Sequence, residues 1–253
     1  RARLGSAPAL PRAAEYTPGN VPPNGRLRYV ITYASADQSL MSFLADGLIN
    51  FLHWHGPFCG YMGLPEYVSL PAVMLETREV VQQAHQNGSM IVFYIGPVFS
   101  FGDPIQRTLF FEMYDRQWEQ YSQYLGPRPE RDVLEWTQRD LSGNSRPYVF
   151  GGGAGYYLCT SSPGTRQYVK GLLRLINETG ADGVFYDGPA MMDGPCYCSD
   201  CQAGFRKYLE TQFDPQKRRH LFGLDDVSEV MAPREPGPLY VAYRRYQSLV
   251  LQD

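Results

Sequence analysis

Apolar and polar positions along the chain switch between the period of a strand and the period of a helix. Residues 28–34 (RYVITYA) have the β-branched and aromatic content of a first buried strand. A short helical stretch over 39–46 leads to a second apolar run at 48–54 (LINFLHW). Residues 75–87 (LETREVVQQAHQN) read as an amphipathic helix stopped by Gly88, whose missing Cβ suits a helix C-terminus. A strand over 90–95 (MIVFYI) follows, and Gly96-Pro97 ends it. Residues 104–125 are compatible with a helix, 126–146 form a polar connection, and 148–157 make an apolar, glycine-rich approach to Cys159. The next unit is the clearest. Ser162 and Pro163 supply an N-cap and a first-turn proline, and Val169, Leu172, Leu173 and Ile176 share one side of the helix. Gly180 closes that helix, and 182–187 (DGVFYD) is the next strand. Two more helices are expected over 201–213 and 238–252.

Strands alternating with helices across short connections argue for an α/β fold with a parallel sheet. The expectation is a TIM-like parallel (β/α) barrel over residues 26–253. A full barrel takes about 250 residues of strand–helix units. With about four or five strands visible, the chain reads as the front part of a barrel, incomplete at its C-terminus. Residues 1–25 are rich in Ala, Pro and Gly and lack apolar periodicity. They read as a flexible leader following a removed signal peptide, which would mark a secreted protein.

Hydrophobic residues make up 43% of the 253 and charged residues 19%, a globular balance. A net charge of −3 provides no electrostatic footprint for nucleic acid or an anionic membrane. No apolar run is long enough for a transmembrane helix. Aromatics reach 14%, with 19 tyrosines; such rings stack on the apolar faces of sugars or decorate core edges.

Cys196, Cys198 and Cys201 place three thiols within six residues, close enough to converge on one tetrahedral ion. Cys159, at the end of an earlier strand-like segment, can supply the fourth ligand of a structural zinc site; a disulfide plus free thiols is the competing reading. Cys59 is expected to be a buried thiol without a metal. Asp187 ends a hydrophobic strand, where parallel α/β folds place catalytic groups, although an Asp before Gly-Pro also caps turns. Asp182, at the strand's start, belongs to stability. His53, Trp54 and His55 end the second strand and are candidate substrate contacts, as are Tyr94 and the loop residue Asp193. Phe99, Ser100 and Asp103 follow the third strand toward the same mouth. Gly151-Gly152-Gly153 lacks the pattern of a phosphate-binding loop.

The stretch GADGVFYDGPAMMDGPCYCSDCQAGFRKYLE resembles the barrel glycoside hydrolases related to family-42 β-galactosidases, with confident coverage of residues 159–210. In those enzymes a strand-end acid precedes a C-x-C-x-x-C cluster, and a fourth zinc-binding cysteine stands in a Cys-x-x-Ser-Pro setting like Cys159 to Pro163 here. The resemblance implies a carbohydrate substrate, a structural zinc held by four cysteines and a catalytic carboxylate at Asp187. One departure matters. The family has Asn-Glu where this chain has Tyr186-Asp187, and the shorter acid is also similar to the strand-end nucleophile of α-galactosidase- and α-fucosidase-like barrels. Asp187 is therefore expected to act as acid/base or as nucleophile, and no second carboxylate can be named. The rival expectations are a carbohydrate-binding or degenerate barrel without turnover, and a zinc-dependent interaction module.

Overall fold

The computed structural model describes residues 29–32, 40, 42, 45, 49–150, 153–188 and 195–250. The expected leader, most of the helical stretch at 39–46, and Asp193 lie outside the described residues.

Strand β1 (Tyr29–Thr32) pairs with β2 (Phe51–Trp54), β2 with β3 (Met90–Ile95), and β3 with β7 (Gly183–Tyr186), all in parallel. Helix α1 (Leu70–Gln86) makes the crossover from β2 to β3, and α2 (Pro163–Asn177) leads into β7. Strand β3 shows why the sheet has two unlike faces. Ile91, Phe93 and Ile95 are fully buried, with Leu52 and Trp54 of β2 in the same core. Met74, Val81 and Ala84 of α1 and Tyr168, Leu172 and Leu175 of α2 belong to that core too. Each such side chain removed from water contributes about 1.5–3 kcal/mol. The alternate positions His53, Tyr94 and Phe185 gather on the opposite face, with His53 and Phe185 ring centroids 4.5 Å apart.

The expected (β/α) barrel is overturned. Among the described residues the parallel sheet is open, in the order β1-β2-β3-β7. The physical reason lies just after β3. Strand β4 (Phe99–Phe101) begins directly beyond Gly96-Pro97-Val98, whereas a parallel return needs a crossover of about a dozen residues or more. The chain instead turns into a separate antiparallel sheet of order β4-β6-β5, with β5 (Pro147–Phe150) and β6 (Gly153–Tyr157). Gly153 and Gly155, on the approach to Cys159, belong to this sheet. A Cβ on Gly155 would stand 1.9 Å from the Ser100 carbonyl oxygen, so only glycine lets β6 approach β4.

The segment expected as one helix over 104–125 is broken. It comprises Phe110–Glu112, a π-helical turn at Met113–Gln117, a 3-10 turn at Trp118–Tyr121 and a last helical turn at Ser122–Leu125. Phe110, Phe111, Trp118 and Tyr121 are all buried within it. Just before it, Arg107 and Leu109 adopt positive φ angles of 55° and 53°.

Helices α3 (Ser199–Gln212), α4 (Pro215–Phe222) and α5 (Pro238–Val250) complete the chain. Phe205, Leu209, Tyr243 and Tyr246 from α3 and α5 form a second core around the four cysteines. Helix α4 has no counterpart in the apolar pattern. It is defined by its ends, with Asp214 accepting from the Lys217 amide at 2.8 Å and Gly223 closing it in the left-handed region. No helix of the described residues is long and apolar enough to cross a membrane.

Candidate functional site

Asp187 stands immediately beyond β7, where its amide donates to the Ile95 carbonyl at 2.8 Å and continues the β3–β7 ladder. That bond fixes its backbone at the C-terminal edge of the parallel sheet. The Tyr94 hydroxyl, from the end of β3, donates to Asp187 Oδ2. The His55 ring stacks on Tyr94 with centroids 3.7 Å apart and planes 17° from parallel, and His53 lies 5.8 Å from both rings. Alternation and register thus bring four expected residues, His53, His55, Tyr94 and Asp187, into one cluster.

Burial sets the protonation of this cluster. It lowers the pKa of both histidines below 6.5, and the Asp187 charge opposes it without reversing it. Both imidazoles are therefore neutral near pH 7. Tyr94 is pushed far above its ordinary value, first by burial and then by its bond to Asp187, so it remains a hydroxyl donor.

These four groups line a cavity of about 580 Å³. Its walls come mainly from the antiparallel sheet and its neighbours: Tyr61, Phe99, Phe101, Tyr148 and Phe150. Phe99 and Tyr148 stack at 4.2 Å, and Tyr61 meets Phe101 edge-on at 5.5 Å. Among the described residues lining the cavity, Asp187 is the one acid, and none is Lys or Arg. Trp54 is not brought there. It points to the helix-facing side of β2 and packs against Phe93 at 5.1 Å. Ser100 is buried and donates to the Tyr156 carbonyl, while Asp103 accepts from the Ile105 and Gln106 amides in a turn. Tyr148 and Phe150 were missed by sequence reasoning. Their signal was the alternation in PYVF, hidden because the glycines after it read as a connection.

The cysteines form a second, separate cluster. Cys159, Cys196, Cys198 and Cys201 are all buried, with their sulfurs within 4.8 Å of one another. Cys159 Sγ lies 3.4, 3.5 and 3.8 Å from those of Cys201, Cys198 and Cys196. Four thiolates on a tetrahedral ion at about 2.3 Å stand roughly 3.8 Å apart, so the set can hold a metal ion. No pair is at disulfide distance, and all five cysteines are free. The Arg139 and Cys201 amides each approach a sulfur at 3.4 Å, the outer contacts that steady thiolates. Crowding by Cys196 and Cys198, then burial, holds Cys159 well above the usual thiol range; a cation would relieve that penalty. Cys59 lies outside the cluster, donates to the Gly56 carbonyl at 3.1 Å, and is pushed up to about 11 by burial. None of the four clustered cysteines lines the cavity around Asp187.

Against known proteins, no family model matches the chain and no curated protein matches it. Among solved structures, the chain is similar to the crystal structure of a β-galactosidase from the psychrophilic Marinomonas ef1, at 12% identity and a TM-score of 0.47. The likeness covers 90% of this chain and 35% of the β-galactosidase, so the chain spans about a third of that protein's length.

Proposed function

We propose that the chain is a glycoside hydrolase domain acting on a carbohydrate, with Asp187 as a catalytic carboxylate and a structural zinc on Cys159, Cys196, Cys198 and Cys201. One observation carries this reading: a strand-end carboxylate, oriented by a tyrosine hydroxyl, stands in an aromatic-walled cavity of sugar size. With Oδ2 engaged by Tyr94, Oδ1 is the atom assigned to the glycosidic centre, to move a proton or to attack the anomeric carbon. The neutral His53 and His55 offer hydrogen bonds to sugar hydroxyls without adding charge. The four cysteines fill every position of a tetrahedral ion, so the zinc orders helices and leaves no open site for substrate.

A second reading, a carbohydrate-binding domain without turnover, is favoured by one fact. Glycoside hydrolysis generally uses two carboxylates, and Asp187 is the one acid among the described residues lining the cavity. Aryl glycosides assayed with the wild type and Asp187→Asn separate the two. The hydrolase reading expects turnover that falls by about 10²–10⁴ in the variant. Turnover unchanged by the substitution removes Asp187 from catalysis, and sugar binding without turnover leaves the binding domain.

A further inference from the structure

The lining of the Asp187 cavity is divided by polarity. Four polar groups, His53, His55, Tyr94 and Asp187, stand at the end of the parallel sheet, and the Tyr61 and Tyr148 hydroxyls join them from outside it. Its outer margin is apolar and lies open to solvent: Phe150 is 71% exposed, Met62 54% and Leu109 48%. The rings between them, Phe99 and Phe101, are buried and join the two regions. Exposed apolar groups gathered around a polar pocket mark a contact with a ligand rather than with solvent.

Leu109 adds an independent sign. Its backbone sits at φ 53°, ψ −113°, a region that L side chains avoid and glycine occupies. The strain is held in place by Arg107, which also has a positive φ and whose guanidinium donates to Asp115 Oδ1 and Oδ2 at 2.7 Å and to Asp132 Oδ2 at 2.8 Å. Leu109, half-exposed and kept in a glycine conformation, presents its isobutyl group at the margin of the cavity.

Resting on the glycosidase reading, we infer that the cavity is a two-part site for glycosides of apolar alcohols. The sugar takes the polar end near Asp187, and an aryl or alkyl aglycone takes the margin formed by Leu109, Phe150 and Met62. The absence of Lys and Arg among the described lining residues fits a neutral sugar and leaves no counter-charge for a uronate or a sugar phosphate.

The test uses the Asp187→Asn protein, so that probes persist, and calorimetric titration with matched methyl and 4-nitrophenyl glycosides of glucose, galactose and fucose, together with 4-nitrophenol alone. The expected result is at least tenfold tighter binding of the aryl member of a pair. That preference should fall at least fivefold on adding Leu109→Gly or Phe150→Ala. Leu109→Gly should hold or raise the melting temperature, since glycine accepts that backbone, and Phe150 is too exposed for its truncation to unfold the protein. Equal binding of methyl and aryl members overturns the aglycone site while keeping the sugar site. Binding of 4-nitrophenol that depends on Leu109 and Phe150, with no sugar preference, supports the apolar margin and overturns the glycosidase reading. No binding of any probe overturns both.

Discussion

The contact between Tyr94 and Asp187 decides what the candidate acid can do. A hydroxyl donating to Oδ2 fixes the orientation of the carboxylate. Tyr94→Phe removes that donor and leaves the ring stacked on His55. The expected outcome, read from the kinetics of an aryl glycoside, is a fall in kcat with the melting temperature little changed. The two histidines make a different prediction. Burial holds His53 and His55 below their ordinary 6.5, so the unfolded chain binds more protons than the folded one between the lowered values and 6.5. Their contribution to stability is complete above pH 6.5 and is lost as pH falls through the window below it. Melting temperatures measured from pH 7.5 to 5 should decline, and His53→Gln should flatten the decline. An equally steep slope in the variant assigns the acid sensitivity elsewhere.

At the scale of elements, the antiparallel sheet walls the site, and it depends on close backbone approach. Gly155→Ala would force a Cβ into the Ser100 carbonyl, so it should destabilise by about 1–3 kcal/mol and release Phe101 and Tyr148 from the cavity wall. Urea titration gives the first number, and loss of probe binding reads the second. The same sheet shows where sequence stopped being legible. Strand β3, helix α2 and strand β7 lie where their periods placed them, although Leu173, expected on the packed side of α2, is exposed, and Ser162 makes no side-chain capping bond. From them the position of Asp187 followed directly. The closure of a barrel did not, because it depends on how many strands join the parallel sheet, and the short Gly96-Pro97-Val98 link sends β4 into a separate antiparallel sheet. Helix α4 escaped because its buried residues are none; only Asp214, Pro215 and Gly223 mark it. Trp54 could not be assigned to a face until register with Phe93 was known, since neighbours on a strand point to opposite sides.

On the whole-molecule scale, the described residues form one core under the parallel sheet, a second around the cysteines and a smaller one of Val98, Phe99 and Phe101. The second is tied to the cysteine cluster by the Tyr243 hydroxyl, which donates to the Cys196 carbonyl, and by Arg131, which pairs with Asp200 at 2.8 Å. Elemental analysis of the purified protein should give close to one zinc per chain. Cys201→Ser should abolish it and lower the melting temperature by more than about 10 °C, as expected when a loss of several kcal/mol is spread over a domain of this size. Retention of both zinc and stability would sink the metal reading.

Among the described residues, β7 is a border strand, bonded to β3 and to no other strand. The acid that would do the chemistry therefore rides on a rail fastened along one side. Nine residues further on, the chain is clamped at Cys196. With Asp187 and Cys196 nine residues apart along the chain, exchange of the Asp187 amide with solvent would report on an ion bound at the cysteines. Metal supply and acid placement would then be two readings of a single mechanical tension.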